Sequence, residues 1–475
     1  MEIITIEKCE GVIVSERKRS IVFLNLIITA FSAMLLSTAM VVALPRIAED
    51  MHVSLTVGQW VTSGFTLVSA LIMPLSAYMI TKIPTKRLYL GSILAVLVGL
   101  GISTIAQNLS AMMVGRVLQA AFGGILSAMA QVILMRIYPR EKIGSVMGWY
   151  GLAMGFAPII APAIAGILMD LFTWRSIFVA AACVMLLSFM VALVVFDDFL
   201  PTKTQKFDSI SFVLSALFFG GITLGVGNAS NIGLINPFTY VPLLVGIVTS
   251  VFFVKRQLQL AEPLLELRLL KNRTFMLAVI SSSLHNFIFM GTGILMPTFA
   301  QVVHGYTATQ TGFFMLIPTS FFALVSPIAG KIYDKLGIRN LYIFSGAGML
   351  LSSLLMTIIT ESTSLLLVCV PYIMRNISLG VLMMPLTTWG LSALEQSQTA
   401  QGTAVLNSFK NTAAAIGSAV VIGVMNTVTK LTASSPHADM YGFNGAFAFV
   451  SVFSLAMLII AIFFVKPRKQ TIDTQ

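Results

Sequence analysis

Uninterrupted apolar runs of eighteen or more residues recur along the whole of this chain. A run of that length matches the hydrocarbon thickness of a bilayer at the rise of an α-helix. The runs are continuous rather than alternating, so they specify membrane helices and not barrel strands. Length alone, 475 residues, would suggest about three soluble domains. Composition overrides that, because 57% of residues are hydrophobic and 10% charged, more apolar surface than soluble cores can hide.

Breaking the runs at charges, prolines and glycines predicts fourteen spans. They cover residues 21–44, 56–80, 88–106, 110–136, 144–169, 175–196, 209–228, 236–254, 274–303, 311–332, 340–359, 363–393, 400–429 and 443–465. The net charge of +11 is dispersed over short loops, which fits membrane orientation rather than nucleic-acid binding. With the N-terminus inside, inner segments hold 23 of the 29 basic residues, and outer ones hold only Arg46, Arg175 and Lys430. Both ends are therefore expected in the cytoplasm. The remaining three, Arg116, Arg375 and Lys410, fall within spans, whereas all 18 acids lie in loops or near helix ends.

The most hydrophilic inner segment, 255–273, separates two six-helix groups once spans seven and eight are set aside as an insertion. Its alternating apolar and charged residues predict a linker with a short helix lying in the interface. The expected order is a tail (1–20), a six-helix bundle (21–200), two additional helices (201–255), the linker (256–273), a second six-helix bundle (274–466) and a tail (467–475). Cys9, Cys183 and Cys369 are too scattered for a disulfide framework or a metal site. The polar N-terminus shows no cleavable signal.

Two loops look like copies of one another. "PLSAYMITKIPTKRLYL" (74–90) aligns at constant offset with "PIAGKIYDKLGIRNLYI" (327–343), pairing Pro74 with Pro327, Thr81 with Asp334 and Pro84 with Gly337. Both join the second and third helices of their group, and Arg116 and Arg375 each sit in the fourth helix. Position, order and chemistry together indicate an internal duplication.

With these residues in view, the chain resembles the major facilitator superfamily, and within it the fourteen-helix drug:proton antiporter branch. "AGKIYDKLGIR" (329–339) is close to the superfamily's signature loop. "GRVLQAAFGG" (115–124) is similar to its fourth-helix Arg-x-x-Gln motif, with Ala120 where Gly is usual. "APIIAPAIAG" (157–166) is similar to the fifth-helix antiporter motif, with Ala161 and Ala165 replacing glycines. "WRSIF" (174–178), "EPLLELRLLKNRTF" (262–275) and "GTAVLNSFKNTAAAIGSA" (402–419) resemble further branch signatures. The resemblance implies an all-α fold of two pseudo-symmetric six-helix bundles plus two extra helices. It also implies a secondary transporter exporting small molecules by alternating access.

The resemblance implies a latch role for Asp334, Lys335, Gly337 and Arg339, whose charges would pair with a neighbouring helix in the outward-facing state. A solvated basic turn that fixes topology is the plainer reading. Thr81 and Pro84 leave the first copy without an acid or a turn glycine. Arg116, Gln119 and Gly123 share one helix face, and a guanidinium there must face water or partners. It controls a proton relay, binds anions, or is structural. Arg375 and Lys410 are candidate cavity residues. Pro158, Pro162 and Gly166 recur every four residues and suit a bendable gate or plain helix packing.

Branch members usually carry an acid where this chain has Leu36, and often an Asn where it has Val41. Without that acid, His285 is the remaining histidine deep in a span and a candidate proton site, or a packed residue. Met290, Met383, Met384, Trp389 and Asn407 are candidates to line an apolar-to-electropositive cavity. Expected substrates are amphipathic and neutral, zwitterionic or anionic, with protons as coupling ion and membrane lipids as surroundings. A monomer without cofactor, in a bacterial inner membrane, completes the expectation. An enzyme would need convergent acid, base or metal groups, and the four histidines are isolated. An exporter of an endogenous lipid-like or anionic metabolite, and a transporter-like sensor, stay open.

Overall fold

In lipid every backbone N–H and C=O must find its partner inside the chain, which a helix achieves segment by segment. The computed structural model describes residues 15–202, 207–233, 235–293, 295–306 and 308–466. Most of the two expected tails, with Cys9, therefore lies outside the described residues. Among the described residues there are fourteen helices long and apolar enough to span a membrane, and no strand.

The first six are α1 (Glu16–Asp50), α2 (Trp60–Lys82), α3 (Thr85–Ile105), α4 (Leu109–Ile137), α5 (Ile143–Leu171) and α6 (Arg175–Val195). A hairpin follows, α7 (Ser209–Ile232) and α8 (Pro237–Gln259). The last six are α9 (Arg273–Gly293), α10 (Ala308–Leu336), α11 (Ile338–Thr357), α12 (Leu365–Ser392), α13 (Thr399–Leu431) and α14 (Ala438–Ile459). Side-chain caps mark several starts, with Ser15 before α1, Asn108 before α4, Asp208 before α7 and Asn236 before α8.

Each half repeats one packing scheme. In the first, α1 packs on α5, α2 on α4, and α3 on both α4 and α6; in the second, α9 packs on α13, α10 on α12, and α11 on both α12 and α14. The duplication read from two loops thus extends to the helix contacts. The halves meet along two seams, α5 with α10 and α2 with α13, and α5–α10 is the more extensive. The hairpin lies against the other seam, with α7 touching both α2 and α13.

We call the face where α1 begins and α14 ends the tail face. The apolar core of the first half continues there into the second, taking in Leu391, Leu394, Ala400, Ala404 and Phe275. The rest of the second half forms a core of its own, through Phe299, Phe443 and Met440 toward the far face.

The linker differs from the expected surface helix. α8 continues to Gln259, and only a five-residue 3-10 turn, Leu267–Lys271, follows. Leu264, Leu265, Leu267 and Leu269 are buried in protein. Gln257 accepts from the Leu265 backbone N–H at 3.0 Å, and Gln401 of α13 accepts from that of Glu266 at 3.2 Å. These four leucines therefore fill protein sockets rather than lipid.

Candidate functional site

The two duplicated loops diverge in what they hold. Gly337 adopts φ +75°, the left-handed region glycine favours, and so turns the chain sharply between α10 and α11. One turn earlier, Asp334 reaches across to the other half. Its carboxylate accepts from the backbone N–H of Gly144 at 2.7 Å, from that of Ser145 at 2.6 Å, and from the Ser145 hydroxyl. α5 has no side-chain cap from its own flank, where Lys142 stands. A residue 190 positions away thus supplies its cap. Hydrogen bonds to a charged group contribute about 1.5–3 kcal/mol each, and the helix dipole favours an anion at this end.

In the first copy, Thr81 donates back to Ala77 O and Tyr78 O of its own helix. The Lys86 backbone N–H binds Asp198, and Lys18 pairs with Asp197, both at the end of α6. Those contacts stay within one half. Lys335 and Arg339, grouped with Asp334 in the sequence reading, are given no such cross-half bond, and the Arg339 Nε is without a partner.

Beside Asp334 the seam closes on glycines. A Cβ on Gly330 would fall on Gly144 O, one on Gly148 would lie 2.7 Å from Ser326 O, and one on Gly155 would lie 3.0 Å from the Ala323 Cβ. The spacing Gly144, Gly148, Gly151, Gly155 is the small-residue stripe by which membrane helices approach closely. Pro158 and Pro162 lie further along the unbroken α5, half-buried and exposed, and Gly166 has open space beside it. Sequence reasoning singled out that second stripe and passed over the first, although the repeated glycines were visible. Arg136 to Gln396, and Asn407 to Gln131 at 3.5 Å, are further links between halves toward the tail face.

The buried cations are held unequally. Arg116 is fully enclosed: its Nε donates to Val61 O at 3.1 Å and its Nη1 to Gln119 Oε1 at 2.9 Å, Phe65 lies 4.2 Å beneath it, and its Nη2 has no partner. Gln119 is fixed in turn by Gly99 O and Ser103 Oγ, both at 2.9 Å. Leu36, Phe65, Gln119 and Gly123 border one small apolar pocket, so the position of the absent acid faces the Arg116 unit.

Arg375 is equally buried, yet it makes only a 3.5 Å bond to Ile288 O and a distant 5.8 Å ring contact with Phe447, and its Nε has no partner. His285, one turn before Ile288, donates from Nε2 to Leu379 O at 2.8 Å, one turn after Arg375. α9 and α12 are thereby cross-tied. A lone cation at this depth costs about 2.5–3.5 kcal/mol on insertion scales unless it is compensated.

The proposed cavity residues are not gathered around one space. Met384 packs at the position a Gly151 Cβ would take, and Asn407 faces Gln131, so both sit in contacts between the halves. Met383 borders both cores, Trp389 packs on that of the second half, and Met290 is exposed. Among the described residues no cluster of His, Cys, Asp or Glu could hold a metal.

Fourteen helices, a duplicated six-helix unit and charges bridging the copies at one face define a membrane transporter rather than an enzyme. The chain belongs to the Major Facilitator Superfamily, whose sequence profile matches residues 26–418. It is 30% identical to the uncharacterized MFS-type transporter YcnB of Bacillus subtilis (strain 168), over 95% of this chain and 96% of that one. It is 28% identical to the lincomycin resistance protein LmrB of the same organism, over 94% and 96%. Identity to the multidrug export protein EmrB of Haemophilus influenzae is 27%, over 84% and 78%. The solved human organic anion transporter MFSD10 superposes with a TM-score of 0.69 over 94% of this chain and 99% of its own, at 12% identity, a likeness of fold alone. The fourteen apolar helices and these bacterial relatives identify a multi-pass protein of the cell membrane.

Proposed function

We propose that this protein is a secondary active exporter of amphipathic small molecules, coupled to protons and working by alternating access. One chain suffices as the transporting unit, and the tail face is the cytoplasmic one, as the bias of basic residues supports. The resistance and multidrug-export names of LmrB and EmrB support the substrate range. The observation that carries the reading is the bond of Asp334, from the second half, to the start of α5 in the first.

That bond holds the tail face shut and opens the molecule toward the far face. When the halves rock, α5 loses its borrowed cap, and Asp334 with Lys335 and Arg339 returns to water. The bond therefore weights the equilibrium between the two faces instead of blocking it. His285, tied to α12, is the group assigned to proton coupling.

Purified protein in liposomes, loaded with a pH dye and given an amphipathic fluorescent substrate, tests this. An imposed proton gradient is expected to drive substrate movement, and substrate alone to drive an opposite proton flux. Substrate movement that ignores the gradient would remove coupling from the reading. No movement of any amphiphile would leave a sensor instead.

A further inference from the structure

The face by which α5 meets α10 is closed at one end and open at the other. Gly144, Gly148, Gly151 and Gly155 touch α10, and the same helix face, followed in steps of three or four residues, continues through Pro162 and Gly166 to Met169. Pro162 is exposed and Gly166 has open space beside it. On α10 the matching row runs from Gly330, Ser326 and Ala323 to Leu316, 45% exposed, and to Gly312, also beside open space. The halves have therefore parted at the far face. There α1, which packs on helices of its own half, carries an exposed row of Val41, Val42, Pro45, Arg46 and Glu49.

A cavity of about 510 Å³ lies where these surfaces end, between the last turn of α1 and the turn from α5 to α6. That volume suits a small molecule. The motif "WRSIF" builds its floor. Trp174 is buried edge-on against Phe178, and Asp50 accepts from Trp174 Nε1 at 3.2 Å and from Arg175 Nη1 at 2.7 Å. Arg175 Nη2 donates to Ala106 O at 2.9 Å, so the charges of Asp50 and Arg175 are answered and fixed. His52, at φ +54°, turns the chain out of α1 and closes the rim. The other two charges of the lining are held loosely: Arg46 and Glu49 stand 3.9 Å apart, beyond a hydrogen bond, with side chains 72% and 78% exposed. Met169 and Phe172 add an apolar wall. An exposed cation beside an exposed anion and an apolar wall complement an amphiphile that carries both signs in its head. We propose that this cavity is an outer release site for zwitterionic amphiphiles, with Arg46 receiving the acid group, Glu49 the ammonium, and Met169 and Phe172 the apolar body. The site deepens the exporter reading and rests on it for the direction of release.

Thermal unfolding of the full chain in a neutral detergent tests the site, with N-octylglycine as the probe. The midpoint is expected to rise by about 2–4 °C at saturating probe. Octylamine and octanoate, of the same chain length but with one charge each, should raise it far less. Arg46→Gln and Glu49→Gln should each abolish the preference for N-octylglycine, and Arg46→Lys, which keeps the charge, should retain it. Equal rises from all three probes, or a preference undiminished in both Gln variants, overturn the proposal. So does an equal rise from glycine, which has both charges and no apolar body. The flux assay separates the two readings. A rise that depends on Arg46 and Glu49 without gradient-driven movement of N-octylglycine keeps the site and removes the exporter, and gradient-driven movement without such a rise does the reverse.

Discussion

The two seams between the halves are related by the same duplication, yet one is locked by charge and the other is covered by added helices. Along α5–α10, glycines bring the backbones together and Asp334 caps the opposite helix. Along α2–α13, the equivalent Thr81 bonds to its own turn, and the α7–α8 hairpin lies over the join. A duplicated device has thus been kept in one copy and replaced in the other. The lesson is that pseudo-symmetry of fold does not carry pseudo-symmetry of the contacts between the halves.

The most damaging change should fall on the glycine contact. Gly330→Val places its side chain against the Gly144 carbonyl, and backbone on both sides leaves nothing flexible to give way. Overpacking of this kind costs about 1–3 kcal/mol or more, so the closed tail face should lose about 100-fold in relative population. Spin labels at positions 141 and 395, on tail-face loops of opposite halves, would report it as a longer distance. Gly166→Val, on the same α5 but beside open space, should leave that distance unchanged. Equal effects from the two variants would dissolve the contrast between a locked stretch and a free one.

Next comes the charge itself. Asp334→Asn retains an acceptor but loses the anion at the start of α5, about 1–2 kcal/mol and hence roughly a 5–30-fold loss of closed population. Thr81→Asp is the mirror experiment. Its neighbours in the first half are already engaged, Lys86 through its backbone with Asp198 and Lys82 with the Tyr78 hydroxyl. The new acid should therefore change the label distance by much less. If Thr81→Asp tightened the tail face as strongly as Asp334→Asn loosened it, the first loop would be an intact latch lacking one atom group.

How much of this was legible follows from where each constraint lives. The spans were readable because a bilayer imposes one length and one composition on each of them, and fourteen were found where fourteen stand. Asp334 and Gly337 were readable because the turn and the repeat are local. The Gly144 and Ser145 amides are not, because any helix start offers the same amides and only the folded seam selects this one. Met384 and Trp389 were expected at a cavity, but methionine and aromatic stripes look the same whether they meet a ligand or a neighbouring helix. The linker misled for a related reason: leucines alternating with charges fit an interface and a set of protein sockets equally well.

The smallest expected effect probes the covered seam. Asp208 caps α7 and receives two hydrogen bonds from Arg256 of α8, both 2.9 Å, so one carboxylate clamps the base of the hairpin. Arg256 foremost, against the opposing cost of burial, holds its pKa at about 2, below the ordinary 3.8. A carboxyl depressed on folding stabilises fully above its unfolded value and loses that contribution as pH falls from about 4 toward about 2. The shift corresponds to about 2 kcal/mol at most, since Arg256 is a third exposed and the pair is partly screened. Asp208→Asn should therefore lower the midpoint of thermal unfolding by about 1–3 °C at pH 6 and by less at pH 3. If the hairpin braces the α2–α13 seam, the same variant should also raise proteolysis within 201–208 without moving the labels at positions 141 and 395. A label shift as large as that of Asp334→Asn would mean that the two seams open as one, and that the covered seam carries charge control after all.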